Sequence, residues 1–182
     1  LTYRELDEAA NRLAHHLGAC GVSRGDTVAV LLDRDLPLAT TTLATLKAGA
    51  AYTLLDPDFP TTRLTTITGH SHATHLITTT SHNTDWLDET LQVVLLDQAA
   101  VDHLPATPPG VPITPDDTAC VMFTSGSTGT PKGVATPHQA LTTTLTHQHF
   151  TTTAPGDTWL QCSPIPWDAY ALELFTPLLH GA

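Results

Sequence analysis

Residues Thr124–Gly133 read TSGSTGTPKG: three glycines, five hydroxyl side chains and one lysine, directly behind the apolar run Ala119–Phe123. A loop of that composition leaving a buried strand offers backbone N–H groups, small hydroxyl donors and one cation at a single point. A polyphosphate needs that combination. Glycine lets the backbone approach closely, and Lys132 adds a compact point charge. The plainer alternative is an ordinary surface loop, because Ser, Thr and Gly populate any loop. Placement between a buried strand and a helical pattern favours a phosphate site. The familiar GxxxxGK[ST] loop is excluded: Gly126 and Lys132 fit it, but Pro131 replaces the second glycine and Gly133 the required Ser or Thr.

A second candidate follows at Ser163–Asp168. Asp168 precedes the apolar stretch ALELF, where it reads equally as a helix N-cap or as a carboxylate available to a cation. The two roles are compatible, since a helix N-terminus keeps the carboxylate ionised. Ala169 and Leu172, three residues apart on one helix face, suit either a core or a pocket wall. His138 stands just after the glycine loop, one of eleven histidines. The groups His70, His72, His75, His82 and His147, His149 lack neighbouring cysteines and any HExxH form, so solvated side chains are expected there rather than a metal site.

The elements that must position these groups alternate along the chain. Thr2–Glu5 has the form of a capping box before a helix with Leu6, Ala9, Ala10, Leu13 and Leu17 on one face. Strands are expected at Thr27–Leu32, Tyr52–Leu55, Thr74–Thr78, Val93–Leu96, Ala119–Phe123 and Thr158–Cys162. Helices are expected at Pro37–Ala48, through about Ile67, at about Thr84–Leu91, Pro137–Thr146 and Ala169–Leu179. Residues Pro105–Asp117, with five prolines, form a connecting loop. Continuous apolar strands alternating with helices predict an α/β fold: a layered, mostly parallel sheet with helices on both faces. Ligands of such sheets bind beyond the carboxyl ends of the strands.

Composition narrows the function classes. A net charge of −11 with only seven Lys and Arg argues against nucleic acid or an anionic membrane as partner. No apolar run approaches a membrane span, and no basic-then-apolar leader opens the chain. Three widely spaced cysteines without a CxxC are expected to be free thiols in a reducing, cytoplasmic setting. A start at Leu1 and an end soon after a helical segment are read as a piece of a longer polypeptide. Threonine is over-used, at 34 of 182 residues, which lowers helix propensity on the surfaces it occupies.

With these residues in view, Phe123–Val134 (FTSGSTGTPKGV) resembles the phosphate-binding motif of the adenylate-forming superfamily. Its members include acyl-CoA synthetases, luciferases and the adenylation domains of non-ribosomal peptide synthetases. Leu1–Leu6 (LTYREL), Leu46–Asp56 (LKAGAAYTLLD) and Trp159–Ala182 are similar to three further core motifs of those adenylation domains. Trp167 departs from the phenylalanine usual before the aspartate. The resemblance covers residues 1–182 as the incomplete N-terminal portion of one AMP-binding (adenylation) large domain, with the C-terminal lid domain beyond it. It implies ATP-dependent formation of an aminoacyl-adenylate and pyrophosphate, then transfer to a carrier-protein phosphopantetheine, with Mg²⁺ as cofactor. Amino-acid substrate, peptidyl carrier and condensation domains are the implied partners. Thr124, Ser125, Gly126, Ser127, Thr128, Gly129, Lys132 and Gly133 are implied to bind ATP and pyrophosphate, with Thr128 and Lys132 catalytic. Asp168, Ala169, Leu172 and His138 are implied to face the amino acid, Asp168 by pairing with its α-ammonium. Residues 1–182 alone are expected not to form the adenylate. An acyl- or aryl-acid–CoA ligase, or a non-catalytic nucleotide-binding or scaffold remnant, stays open as an alternative.

Overall fold

The computed structural model describes residues 1–124 and 131–182. Six strands form one sheet: β1 (Thr27–Leu31), β2 (Ala51–Leu55), β3 (His75–Thr78), β4 (Gln92–Leu95), β5 (Thr118–Thr124) and β6 (Lys132–Pro137). Their spatial order is β4-β3-β1-β2-β5-β6. The first five run parallel, and β6 returns antiparallel to β5. The helices are α1 (Tyr3–Ala19), α2 (Leu36–Lys47), α3 (Thr61–His70), α4 (His138–Thr146) and α5 (Asp168–His180).

The expected capping box forms. Thr2 Oγ1 accepts from the Glu5 N–H, and the Glu5 carboxylate accepts from the Thr2 N–H at 2.7 Å. Strand periodicity then splits the core in two. Val28 and Val30 of β1 face one layer with Leu17 of α1, Leu38 of α2 and Tyr170 and Leu174 of α5. Ala29 and Leu31 face the other, with Leu64 and Ile67 of α3 and Phe123 at the end of β5. Helices therefore cover both faces, as apolar parallel strands require.

Many threonines satisfy themselves within these helices, although the buried hydroxyls of Thr41 in α2 and Thr176 in α5 find no partner among the described residues. Thr40, Thr42 and Thr45 of α2, Thr65 and Thr66 of α3, and Thr142 and Thr146 of α4 each donate to the carbonyl four residues back. That bond lets a β-branched hydroxyl residue occupy a helix, buried or exposed, without an orphaned polar group.

Three expectations are corrected. No helix forms over Thr84–Leu91; Asn83 and Asp88 side chains instead accept from Asp85 and Thr90 N–H groups, closing local turns that compete with a helix. Thr158–Cys162 is not a strand, because β6 occupies the edge beside β5. β6 itself was not anticipated: KGVATP is short, mostly polar and carries glycine and proline. Among the histidines, His75 is buried rather than solvated. Its ring lies 2.9 Å from Thr74 Oγ1 and 3.3 Å from the Cys20 carbonyl. The cysteines are unpaired, with Cys120 buried, Cys20 half-buried and Cys162 exposed.

Candidate functional site

The antiparallel pair β5–β6 fixes the two residues that flank the glycine loop. Register places Thr124 opposite Lys132 and Phe123 opposite Gly133. Thr124 and Lys132 therefore stand side by side where the chain leaves and re-enters the sheet, at the carboxyl end of β5. Both are exposed. Gly133 has a packing reason: a Cβ there would sit 3.1 Å from Phe123 Cζ and 3.2 Å from Val121 Cγ1. Ser125, Gly126, Ser127, Thr128 and Gly129 lie outside the described residues. The loop returns as a strand, so no helix N-terminus follows it directly; α4 begins only at His138.

A cleft of about 470 Å³ opens beside this root, walled by Thr124, Phe123, Arg63, Thr136, Trp167 and Asp168. A second hollow of about 390 Å³ adjoins it, with Ala169, Leu172, Ala171, Leu141 and Leu145 among its walls. Met122, Thr136 and Asp168 line both. Asp168 thus stands at the junction between a cleft of mixed lining beside the root of the glycine loop and a largely apolar pocket. Ala169 and Leu172 are half-buried on that pocket's wall, so the same helix turn serves packing and lining together.

Asp168 is the first residue of α5 rather than its cap. Trp167 holds the cap position, and one Asp168 carboxylate oxygen accepts the Ala169 N–H at 2.8 Å. A negative charge in the first helical turn complements the positive end of the helix dipole. The other oxygen has no protein donor among the described residues, which leaves it free for a cation in the cleft. An ammonium group is a chemically matched partner.

The segment that delivers Asp168 is anchored by Glu173. Its carboxylate accepts the N–H of Cys162 at 3.0 Å and both the N–H and the hydroxyl of Ser163, the latter at 2.5 Å. Burial opposes ionisation of Glu173, but these donors outweigh it and hold its carboxyl below the ordinary value. Arg34 donates to the Ser163 carbonyl and lies 5.5 Å from the Tyr170 ring centroid. Neither residue stood out in the sequence. The signal for Glu173 was its place one turn into an apolar helix, where a charge must find donors.

His138 is not brought to this cleft. It opens α4 beside Ile113, Pro115 and Thr142, and its N–H donates to the Asp117 carbonyl at 2.9 Å. Burial pushes its imidazole pKa down, opposed by the Asp117 charge. No group of three or more His, Cys, Asp or Glu able to hold a metal ion occurs among the described residues. No described helix is long and apolar enough to cross a membrane.

Known proteins are similar to this chain in sequence and fold. Residues 1–182 match the AMP-binding enzyme family throughout. The phosphinothricin tripeptide synthetase PhsC of Streptomyces viridochromogenes is 45% identical over the whole chain, which spans 17% of that relative. A four-domain nonribosomal peptide synthetase, solved bound to AMP and glycine, superposes with a TM-score of 0.86 and 32% identity; the chain is fully covered and spans 13% of that structure. The N-terminal subdomain of Klebsiella oxytoca NpsA superposes with a TM-score of 0.88 and 28% identity over the whole chain and 47% of its own. The sheet, its helices and its motifs therefore place this chain in the AMP-binding enzyme family, alongside the adenylation domains of nonribosomal peptide synthetases.

Proposed function

We propose that residues 1–182 form the N-terminal portion of an adenylation domain that activates an amino acid with ATP and passes it to a carrier-bound phosphopantetheine. The observation that carries this reading is one cleft with Thr124 and the root of the glycine loop on one side and Asp168 on the other. Asp168 holds the α-ammonium, and the hollow lined by Ala169 and Leu172 takes the side chain. The substrate carboxylate is thereby directed toward the nucleotide. Thr124, Lys132 and the residues between them hold the β- and γ-phosphates, so the leaving pyrophosphate departs toward donors already in place. One carboxylate oxygen bonds to the α-phosphorus as the bridging oxygen to the β-phosphate leaves with its electron pair.

Lys132 and Thr128 are the catalytic candidates, because negative charge grows on the pyrophosphate as it leaves. The close packing of Gly133 against Phe123 supports a hairpin root fixed before the nucleotide arrives. Magnesium would screen the leaving pyrophosphate. Within residues 1–182, the hydroxyl of Ser127 or Thr128 would lie near it beside the phosphate oxygens. The same reading makes peptidyl carrier and condensation domains the partners and the ATP-supplied cytoplasm the place of action.

The test is ATP–pyrophosphate exchange by the full-length protein against separate panels of amino acids and of fatty and aryl acids. Amino-acid-dependent exchange is expected. Exchange supported only by acids lacking an ammonium group would instead identify an acid–CoA ligase.

A further inference from the structure

We infer that Glu173 and Arg34 are positioning residues: gripping Ser163 from opposite sides, they set where the cleft wall Pro166–Asp168 stands and so the KM for the amino acid. This rests on the amino-acid reading above and adds two residues that touch no substrate. Glu173 takes both donors of Ser163, the N–H at 3.1 Å and the hydroxyl at 2.5 Å, and also the Cys162 N–H at 3.0 Å. Arg34, in the connection between β1 and α2, donates to the Ser163 carbonyl. One serine thus has an anion on its donors and a cation on its acceptor. Charge-assisted bonds of this kind are roughly twice as strong as neutral ones. Neither Glu173 nor Arg34 forms a salt bridge among the described residues, so Ser163 is the partner they share. Arg34 is steadied in turn by the Tyr170 ring, whose centroid lies 5.5 Å from its guanidinium carbon.

The grip reaches the cleft because the segment behind it is stiff. Ser163–Asp168 reads SPIPWD. Prolines at 164 and 166 fix φ at two positions and bias Ser163 and Ile165 toward extended backbone. Ile165 is buried in the core that includes Tyr170 and Leu174 of α5. The Trp167 N–H donates to the Pro164 carbonyl at 3.1 Å, closing a turn. Pro166, Trp167 and Asp168 then wall the 470 Å³ cleft. A displacement of Ser163 therefore meets few soft dihedrals in which to dissipate before it reaches that wall. Glu173 lies on α5 itself, so its bonds tie the segment to the helix that carries Ala169 and Leu172. A wall misplaced by about 1 Å is enough to weaken binding and slow the reaction without touching the reacting atoms.

The experiment measures pyrophosphate exchange by the full-length protein with the amino acid giving the largest exchange in the panel. Glu173→Ala and Arg34→Ala are each expected to raise the amino-acid KM about tenfold and to leave the ATP KM within about twofold. Glu173→Gln, which keeps an acceptor oxygen, is expected to restore part of the loss. Because both residues act on Ser163, the double variant is expected to lie within about twofold of the worse single variant. Pro164→Ala, at an exposed position outside the grip, is expected to raise the same KM about threefold by softening the segment. An amino-acid KM within about twofold of the parent in both single variants overturns the inference. So does an equal rise in the ATP KM, which shows general damage to the site. Losses that multiply in the double variant also overturn it, by showing that the two residues act separately. Should the alanine variants fail to fold, Ser163→Ala, which deletes only the hydroxyl, decides: a KM raised about threefold supports the grip, and an unchanged KM overturns it. Absence of any amino-acid-dependent exchange in the parent protein removes the underlying activity reading instead, and is distinguishable from failure of the grip alone.

Discussion

The strands nearest α1 and α2 differ sharply from the hairpin and helix that frame the cleft. Val28, Ala29 and Val30 in β1 are fully buried, and every residue of β2 is buried. In the second region, Val134 is 50% and Trp167 57% exposed, and Leu160, on the segment leading to that helix, is 77% exposed. The first region lies within the apolar core, whose removal from water is the main favourable term in folding. The second keeps polar groups and apolar surface available to a ligand. Stability and chemistry are thus carried by different parts of one sheet, joined where β2 pairs with β5 through Tyr52 and Cys120.

That division is tested first by cutting the buried side. Leu55→Ala, at a fully buried position of β2, is expected to lower unfolding free energy by about 2–5 kcal/mol in urea denaturation. Next comes Gly49→Ala, at a φ of +81° that L residues rarely adopt. The new Cβ would approach Val111 Cγ1 to 2.8 Å and Arg24 Cα to 3.2 Å, so a loss of about 1–2 kcal/mol is expected from strain and displacement. On the exposed side, Leu160→Ala is expected to change stability by less than about 0.5 kcal/mol. A cost there comparable with Leu55→Ala would erase the contrast.

The smallest expected effect is a pH dependence at the tie between the Pro-rich loop and the loop before β1. The Arg24 guanidinium, helped by the Thr114 N–H, holds the Asp117 carboxyl well below its ordinary value of 3.8. A carboxyl with a depressed folded-state pKa stabilises the fold above its unfolded-state value, and that stabilisation is lost as pH falls toward the folded-state value. Stability should therefore decline below about pH 4, and Asp117→Asn should lower the midpoint at pH 7, where the tie is present, more than at pH 3, and so flatten that decline. Urea midpoints of both proteins at pH 7 and pH 3 check it. An unchanged acid slope in the variant would assign the decline to other carboxylates.

Much of the architecture was legible because the relevant signals are local. Thr2 and Glu5 specify their own helix start, and the apolar runs around Val28, Leu54 and Cys120 specify buried strands. The errors arise where tertiary context outweighs local pattern. KGVATP becomes β6 by pairing with β5, in the place beside β5 that Thr158–Cys162 would otherwise take. Local competition explains the missing helix at Thr84–Leu91, where Asn83 and Asp88 cap turns. In the site, the motif picked out Asp168, Ala169 and Leu172, and α5 brings them to one wall.

The central claim is that this cleft holds an amino acid by its ammonium group for attack on ATP. The most direct measurement is amino-acid-dependent pyrophosphate exchange by the full-length protein carrying Asp168→Asn. Losing the charged half of a charge-assisted contact predicts a fall of about 10- to 100-fold in kcat/KM for the amino acid, with the urea midpoint unchanged. Unchanged kcat/KM for the amino acid in that variant would contradict the account.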